Sequence, residues 1–280
     1  MFQRAEQLRV LKLCYCLFSF SSPPFLHCRT IRFLGLDNCR DADQTLGQEY
    51  IKEQDNKLRQ KEEFFQSLCV LDIYWTDWEL NLPPNIIERM AVNMREISIN
   101  KGRIWQVTHA WTWRHLQNIH KLRVNNPTCP WETGSEDQFT GMVNLEHLDL
   151  SLNRTMQVLP TLSGATSLRN LVLEACFALK HVLPGTLPPS LETFCFSAWP
   201  AEISRISMAG CSRLVNFRIH GSLEKLEELD LSKTSIKVLD LSNIKVHVLQ
   251  HVIMMGCEQL RAVTLAKNRS AQTNGAVHRH

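Results

Sequence analysis

Nothing in the 280 residues reads Gly-x-x-x-x-Gly-Lys-(Ser/Thr), so the chain lacks the loop that cradles nucleotide phosphates. No apolar run reaches the roughly 20 residues that a membrane-spanning helix needs. The nearest candidate, 9–20, carries Lys12 and no small-residue cleavage site, which also argues against export. An excess of one charge is missing too. Lys plus Arg number 31 against 28 Asp plus Glu, a formal net charge of +3 with no basic block, which excludes nucleic acid as a primary partner. His, Ser and acidic residues fall in no triad spacing, so the chain is not expected to be an enzyme. Cys14-x-Cys16 and His278-Arg-His280 lack the paired ligands of a structural zinc site, and no metal or other cofactor is expected.

What is present is a repeat. The pattern Leu-x-x-Leu-x-Leu-x-x-(Asn/Cys/Thr) runs through Leu8-Leu11-Leu13-Cys16, Ile31-Leu34-Leu36-Cys39 and Leu68-Leu71-Ile73-Thr76. It returns as Leu145-Leu148-Leu150-Asn153, Leu168-Leu171-Leu173-Cys176, Leu226-Leu229-Leu231-Thr234 and Leu249-Val252-Met254-Cys257. Weaker copies are centred on Ile97, Leu122, Phe194 and Ile206. This is the leucine-rich-repeat signature. Each Leu-x-Leu predicts a short strand with its leucines facing one way, and the small residue three places on predicts a buried rung that satisfies backbone groups where the coil turns. Most steps between second leucines are 23 to 26 residues. The step from 34 to 71 is 37 and implies an insertion; that from 194 to 206 is 12 and implies a lost half-repeat. An offset series through Phe217, Leu239 and Val263 lacks the rung and is therefore assigned to the convex side. The predicted fold is an α/β solenoid: an irregular horseshoe with a parallel concave sheet and a convex side of loops, short strands and a few short helices. Residues 5–265 form it, and the polar tail 266–280 is expected to be disordered.

Five of the ten cysteines (Cys16, Cys39, Cys176, Cys211 and Cys257) stand at the rung, where a small thiol packs. That placement favours free thiols in a reducing compartment over a disulfide framework. Asn153 fits a glycosylation pattern, but as a rung residue it should be buried. Residues 41–65 are densely charged, with Glu53 facing Lys57 and Asp55 facing Arg59 at i,i+4, which predicts a solvent-exposed helical insertion. Six of seven tryptophans lie between Trp75 and Trp131. Some should fill gaps between irregular repeats, and any left exposed would anchor a protein partner. Pro83-Pro84 predicts a short helix running through Met90.

Leu-Arg-Val-Leu-Lys-Leu-Cys at 8–14, Leu-Glu-His-Leu-Asp-Leu-Ser at 145–151 and Leu-Glu-Glu-Leu-Asp-Leu-Ser-Lys-Thr at 226–234 carry a family resemblance. So do Leu-Pro-Pro-Ser-Leu-Glu at 187–192, Ile-Ser-Met-Ala-Gly-Cys at 206–211 and the Cys-x-x-Leu extensions at Cys176, Cys211 and Cys257. Together they resemble the repeats of plant intracellular nucleotide-binding leucine-rich-repeat (NB-ARC-LRR) disease-resistance proteins, most like the grass members. The resemblance spans about 5–265 and implies the recognition half of such a receptor, truncated and without the nucleotide-binding domain. It implies a cytoplasmic protein of plant defence and innate immunity. The implied partner is a protein: a pathogen effector, a guarded host protein, or the receptor's own nucleotide-binding domain. No nucleic acid and no membrane are implied. The alternative is a substrate adaptor of an F-box-type ubiquitin ligase, whose repeats also carry cysteine. Against it, no F-box-like helical segment precedes Leu8, and the Ile-Thr-Asp-x-Gly-Leu continuation is absent.

Recognition is expected on the concave face, where the x residues of successive strands align into a polar surface of mixed charge. The central column is read as Lys12, Gly35, Asp72, Ser98, Arg123, Asp149, Val172, Cys195, Ser207, Arg218, Asp230 and Ile253. The expected protein-binding residues are Asp72, Tyr74, Trp75, Lys121, Arg123, His147 and Asp149.

Overall fold

A computed structural model describes residues 5, 7–43, 63–78, 84–103, 115–130 and 139–265. The chain divides into two compact units, Met1–Cys129 and Pro130–His280. Each is a parallel-stranded β-solenoid. Among the described residues, α-helix is confined to 42–43, 63–67 and Pro84–Asn93.

The first unit contains β1 (Val10–Cys14), β2 (Leu17–Phe18), β3 (Phe33–Asp37), β4 (Arg40–Asp41), β5 (Val70–Tyr74), β6 (Glu96–Asn100) and β7 (Lys121–Asn125). Strands β1, β3, β5, β6 and β7 pair in parallel, so Leu11, Leu34, Leu71, Ile97 and Leu122 stand in one row. All five are buried, as the alternation predicts. Leu13, by contrast, is only half-buried, because among the described residues β1 pairs with β3 alone. Leu34 pairs directly with Leu71, so the insertion between them leaves the ladder in register.

The insertion itself departs from expectation at its end. Residues 44–62, with the Glu53–Lys57 and Asp55–Arg59 pairs, lie outside the described residues. Phe64 and Phe65, however, are fully buried rather than solvated. They close an aromatic cluster in which Phe64 lies 5.4 Å from Phe25, and Phe65 lies 6.3 Å from Trp78. The Trp78 indole N–H donates to Phe20 O at 3.2 Å. This ring therefore fills a gap, one of the two roles expected of the tryptophans; Trp105, Trp111, Trp113 and Trp131 lie outside the described residues. The Pro84–Asn93 helix turns Ile86, Ile87, Met90 and Ala91 inward, a spacing that puts them on one face.

In the second unit the chain forms β8 (His147–Asp149), β9 (Asn170–Glu174), β10 (His181–Val182), β11 (Thr193–Ala198), β12 (Arg205–Ser207), β13 (Asn216–Ser222), β14 (Glu228–Asp230), β15 (Val238–Leu241), β16 (Ile244–Lys245), β17 (His251–Ile253) and β18 (Ala262–Leu265). One sheet runs β8-β9-β11-β13-β16 and a second β10-β12-β14-β17, while β15 pairs with β18. Here the sequence reading is corrected. Leu171 pairs with Phe194 and Phe194 with Phe217, each a regular step of 23 residues, so there is no lost half-repeat. Ile206 belongs to the other sheet, paired with Val182 and Leu229. The physical reason is simple: a strand 12 residues on has travelled half a coil and emerges on the opposite side. The rung motif thus changes face between Cys176 and Cys211, and the expected central column ends at Arg218. Ser207, Asp230 and Ile253 form a column of their own.

The rungs are where the coil's turns are stapled. Leu150 O accepts from the Asn153 amide at 2.7 Å and from the Cys176 thiol of the next turn at 3.2 Å. Leu231 O is held in the same way by the Thr234 hydroxyl at 2.8 Å and the Cys257 thiol at 3.0 Å. Asn153 is fully buried, as its rung position predicts. All ten cysteines are free. Burial pushes the Cys176 thiol up to about 12 and Cys211 to about 11, so neither forms a thiolate near neutral pH.

Candidate functional site

Each of β1, β3, β5, β6 and β7 is followed by a residue with left-handed backbone: Tyr15, Asn38, Trp75, Lys101 and Asn126. In the first four, the N–H donates to the last strand residue of the next turn. Tyr15 reaches Asp37 O at 2.8 Å, Asn38 reaches Tyr74 O at 2.9 Å, Trp75 reaches Asn100 O at 2.9 Å and Lys101 reaches Asn125 O at 3.1 Å. The ladder demands positive φ, and asparagine supplies it at low cost. Tryptophan does not. At φ 48° Trp75 carries a strain on the order of 1–2 kcal/mol that the ladder must offset.

That strained position presents a compact aromatic group. Tyr74 is 41% exposed and Trp75 48% exposed, with ring centroids 6.3 Å apart in edge-on packing. The Lys101 ammonium sits 3.5 Å from the Trp75 ring centroid. A cation over an indole face at an exposed site contributes about 0.5–1 kcal/mol. It also pins the ring, which lowers the entropy that a partner would otherwise lose on binding.

Beside this group, a small pocket of about 110 Å³ brings together Asp72, Glu96, Ser98, Lys121 and Arg123 over Phe33 and Val70. Asp72, Ser98 and Arg123 are successive partners in the ladder. Lys121 lies 3.9 Å from Glu96, a surface pair that contributes little. The pocket can offer both charges to a polar side chain, but among the described residues no group of His, Cys, Asp or Glu could hold a metal.

Five of the seven expected residues therefore lie in the first unit: Asp72, Lys121 and Arg123 around the pocket, Tyr74 and Trp75 in the aromatic group. His147 and Asp149 lie in the second unit, both half-buried on β8. Asp149 has a local task. Its carboxylate accepts the Ser151 N–H at 2.9 Å, and Asp230 and Asp240 hold Ser232 and Ser242 in the same way, also at 2.9 Å. The Asp-Leu-Ser triplet is an aspartate turn that closes the strand. Asp240 keeps its carboxyl below the usual range through its hydrogen bonds to the Ser242 side chain and backbone. Sequence reasoning missed Glu96 and Lys101. Both stand at repeat positions already occupied by expected residues, Glu96 one turn before Lys121 and Lys101 one turn after Trp75, so the register alone could have found them.

No family model matches the sequence, and no curated protein matches it. Solved structures do. An internalin (inlF) from Listeria monocytogenes aligns at a TM-score of 0.42 and 13% identity, covering 87% of this chain and 70% of its own. A leucine-rich-repeat protein from Leptospira interrogans aligns at 0.42 and 13%, covering 94% and 79%. The functional domain of InlJ from Listeria monocytogenes, which includes a cysteine ladder, aligns at 0.43 and 12%, covering 88% and 61%. These neighbours are leucine-rich-repeat proteins. At such scores the assignment of this chain rests on its own strand ladder and rung pattern. Among the described residues no helix is long and apolar enough to cross a membrane.

Proposed function

We propose that the chain is a protein-recognition module, and that it serves as the recognition part of a plant disease-resistance receptor of the nucleotide-binding leucine-rich-repeat type. In this reading it works in the cytoplasm. It senses a pathogen effector or a guarded host protein, and it restrains the receptor's nucleotide-binding domain until it does. The repeat text at 8–14, 145–151 and 226–234 supports the family.

The observation that carries the recognition role is Trp75. Tyr15, Asn38, Lys101 and Asn126 share its left-handed backbone, and what distinguishes Trp75 is a half-exposed indole pinned by Lys101 and packed edge-on against Tyr74. An indole so held is an aromatic anchor already ordered before any partner arrives, which lowers the cost of binding. Tyr and Trp are also the residues that most often dominate interfaces, where losing one commonly costs about 2 kcal/mol or more. Asp72, Lys121 and Arg123 supply the charged surroundings, and His147 and Asp149 remain part of the proposal on the second unit.

The test is affinity capture from plant leaf extract with the wild-type chain and with Tyr74→Ala/Trp75→Asn as paired baits. The variant should melt no lower than wild type, because asparagine relieves the backbone strain, and partners captured by the wild type should fall at least tenfold. Equal capture by both baits would rule out the aromatic group as the binding site. A Tyr74→Ala/Arg123→Ala pair then reports whether the pocket contributes.

A further inference from the structure

The principal sheet of the second unit opens at its last full turn. β9, β11 and β13 are paired residue by residue. The 23-residue step would next lay β15 against Val215–Arg218, but β15 pairs only with β18, from Val238↔Ala262 to Leu241↔Leu265. β13 meets the following turn only at Gly221↔Ile244 and Ser222↔Lys245. At the other end the Ser235 N–H donates to Leu214 O at 3.0 Å. Between these two clasps, no backbone hydrogen bond among the described residues joins 216–220 to 238–241.

The opening is a cleft of about 500 Å³ lined by Val215, Asn216, Phe217, Arg218, Lys237 and Val238. Its lining holds two cations and no carboxylate. Neither cation makes an ion pair among the described residues, although the acids Glu192, Glu202 and Glu228 elsewhere in this unit are all paired. Val215 is 46% exposed and Val238 56% exposed. The half-buried Phe217 ring stacks on Phe194 at 5.7 Å, which gives the cleft a rigid apolar wall.

We propose that this cleft takes up an extended acidic segment of another protein as an added β-strand. The main chain of that segment would complete the ladder along Asn216–His220, which presents an open edge of the kind strand addition uses. Side chains alternate across a strand. Those on the outer face of the guest would be carboxylates beside Arg218, with Lys237 at the mouth of the cleft; those on the inner face would be apolar, against Phe217. The proposal stands on the second unit alone and does not depend on the aromatic group of the first.

The probe is a fluorescein-labelled heptapeptide of alternating Val and Glu, blocked at both ends, titrated with the full chain by fluorescence anisotropy. Binding should weaken at least tenfold in Arg218→Glu/Lys237→Glu, whose substitutions are both on exposed side chains. It should weaken similarly, on wild-type protein, when the central valine of the peptide is replaced by proline, which removes a main-chain donor. The second comparison needs no variant to fold. No binding of the Val–Glu peptide, equal binding of a Val–Lys peptide, or unchanged binding of the proline peptide would each overturn the proposal. So would a dimer in sedimentation that Arg218→Glu/Lys237→Glu dissolves, since the occupant would then be a second copy of the chain.

Discussion

Replacing Leu148 with aspartate is expected to abolish folding of the second unit. Leu148 is fully buried on β8 and pairs with Leu171 on β9, in the row that continues through Phe194. A carboxylate there has no counter-charge and no hydrogen-bond donor provided for it, so burying it costs several kcal/mol. The site also loses a leucine's contacts, another ~2–5 kcal/mol. The sum is comparable with the ~5–15 kcal/mol that holds a typical domain together. In a solenoid, moreover, each turn is stabilised mainly by its neighbours, so damage at one row spreads along the coil. Urea titration followed by circular dichroism should show the variant without the cooperative transition of the second unit. A variant that melts within a few degrees of wild type would mean that this row is not core.

Gly221→Ala is expected to be nearly as damaging, although it adds a single carbon. Gly221 sits at φ +118° on β13, beside Ala198 of β11. A Cβ there would lie 2.1 Å from Ala198 O, a backbone atom that cannot swing aside. Either β13 leaves its partner or the strand rotates out of register, at a cost of about 3 kcal/mol or more. Gly185 is the control, because its φ is also positive, at +76°, but an added Cβ meets nothing within 4 Å. Gly185→Ala should therefore cost only the backbone preference, about 1–2 kcal/mol. Equal melting temperatures for the two variants would contradict the close strand approach at Gly221.

The sequence announces the solenoid because leucine spacing is a direct physical consequence of the coil. Leu34, Leu71, Ile97, Leu122, Leu148 and Leu171 must face inward once per turn, and they do. What spacing cannot convey is which side of the coil a strand occupies once two series overlap. Cys211, Thr234 and Cys257 carry the rung, and that chemistry points to the same side as Cys176. Strand pairing follows chain length around the coil instead, and places Phe217 beside Phe194. Phe64 and Phe65 were hidden by the charged text around them, since composition averages over a window and burial is decided residue by residue. The candidate site divides along the same line. Asp72, Tyr74 and Arg123 follow from alternation alone, whereas the Lys101–Trp75 contact depends on a left-handed backbone ladder that no residue type advertises.

The claim on which the second unit's cleft depends is the register of β11 against β13, because it decides which side chains share a face. Cys195 stands beside Arg218 on β13, while Ser207 belongs to the other sheet. Neighbouring strands lie about 4.8 Å apart, within the span a disulfide bridges. Arg218→Cys and Ser207→Cys should be oxidised separately and the bridges mapped by peptide mass. The account predicts a bridge from Cys195 to position 218 and none to position 207. A bridge to position 207, with none to 218, would contradict it.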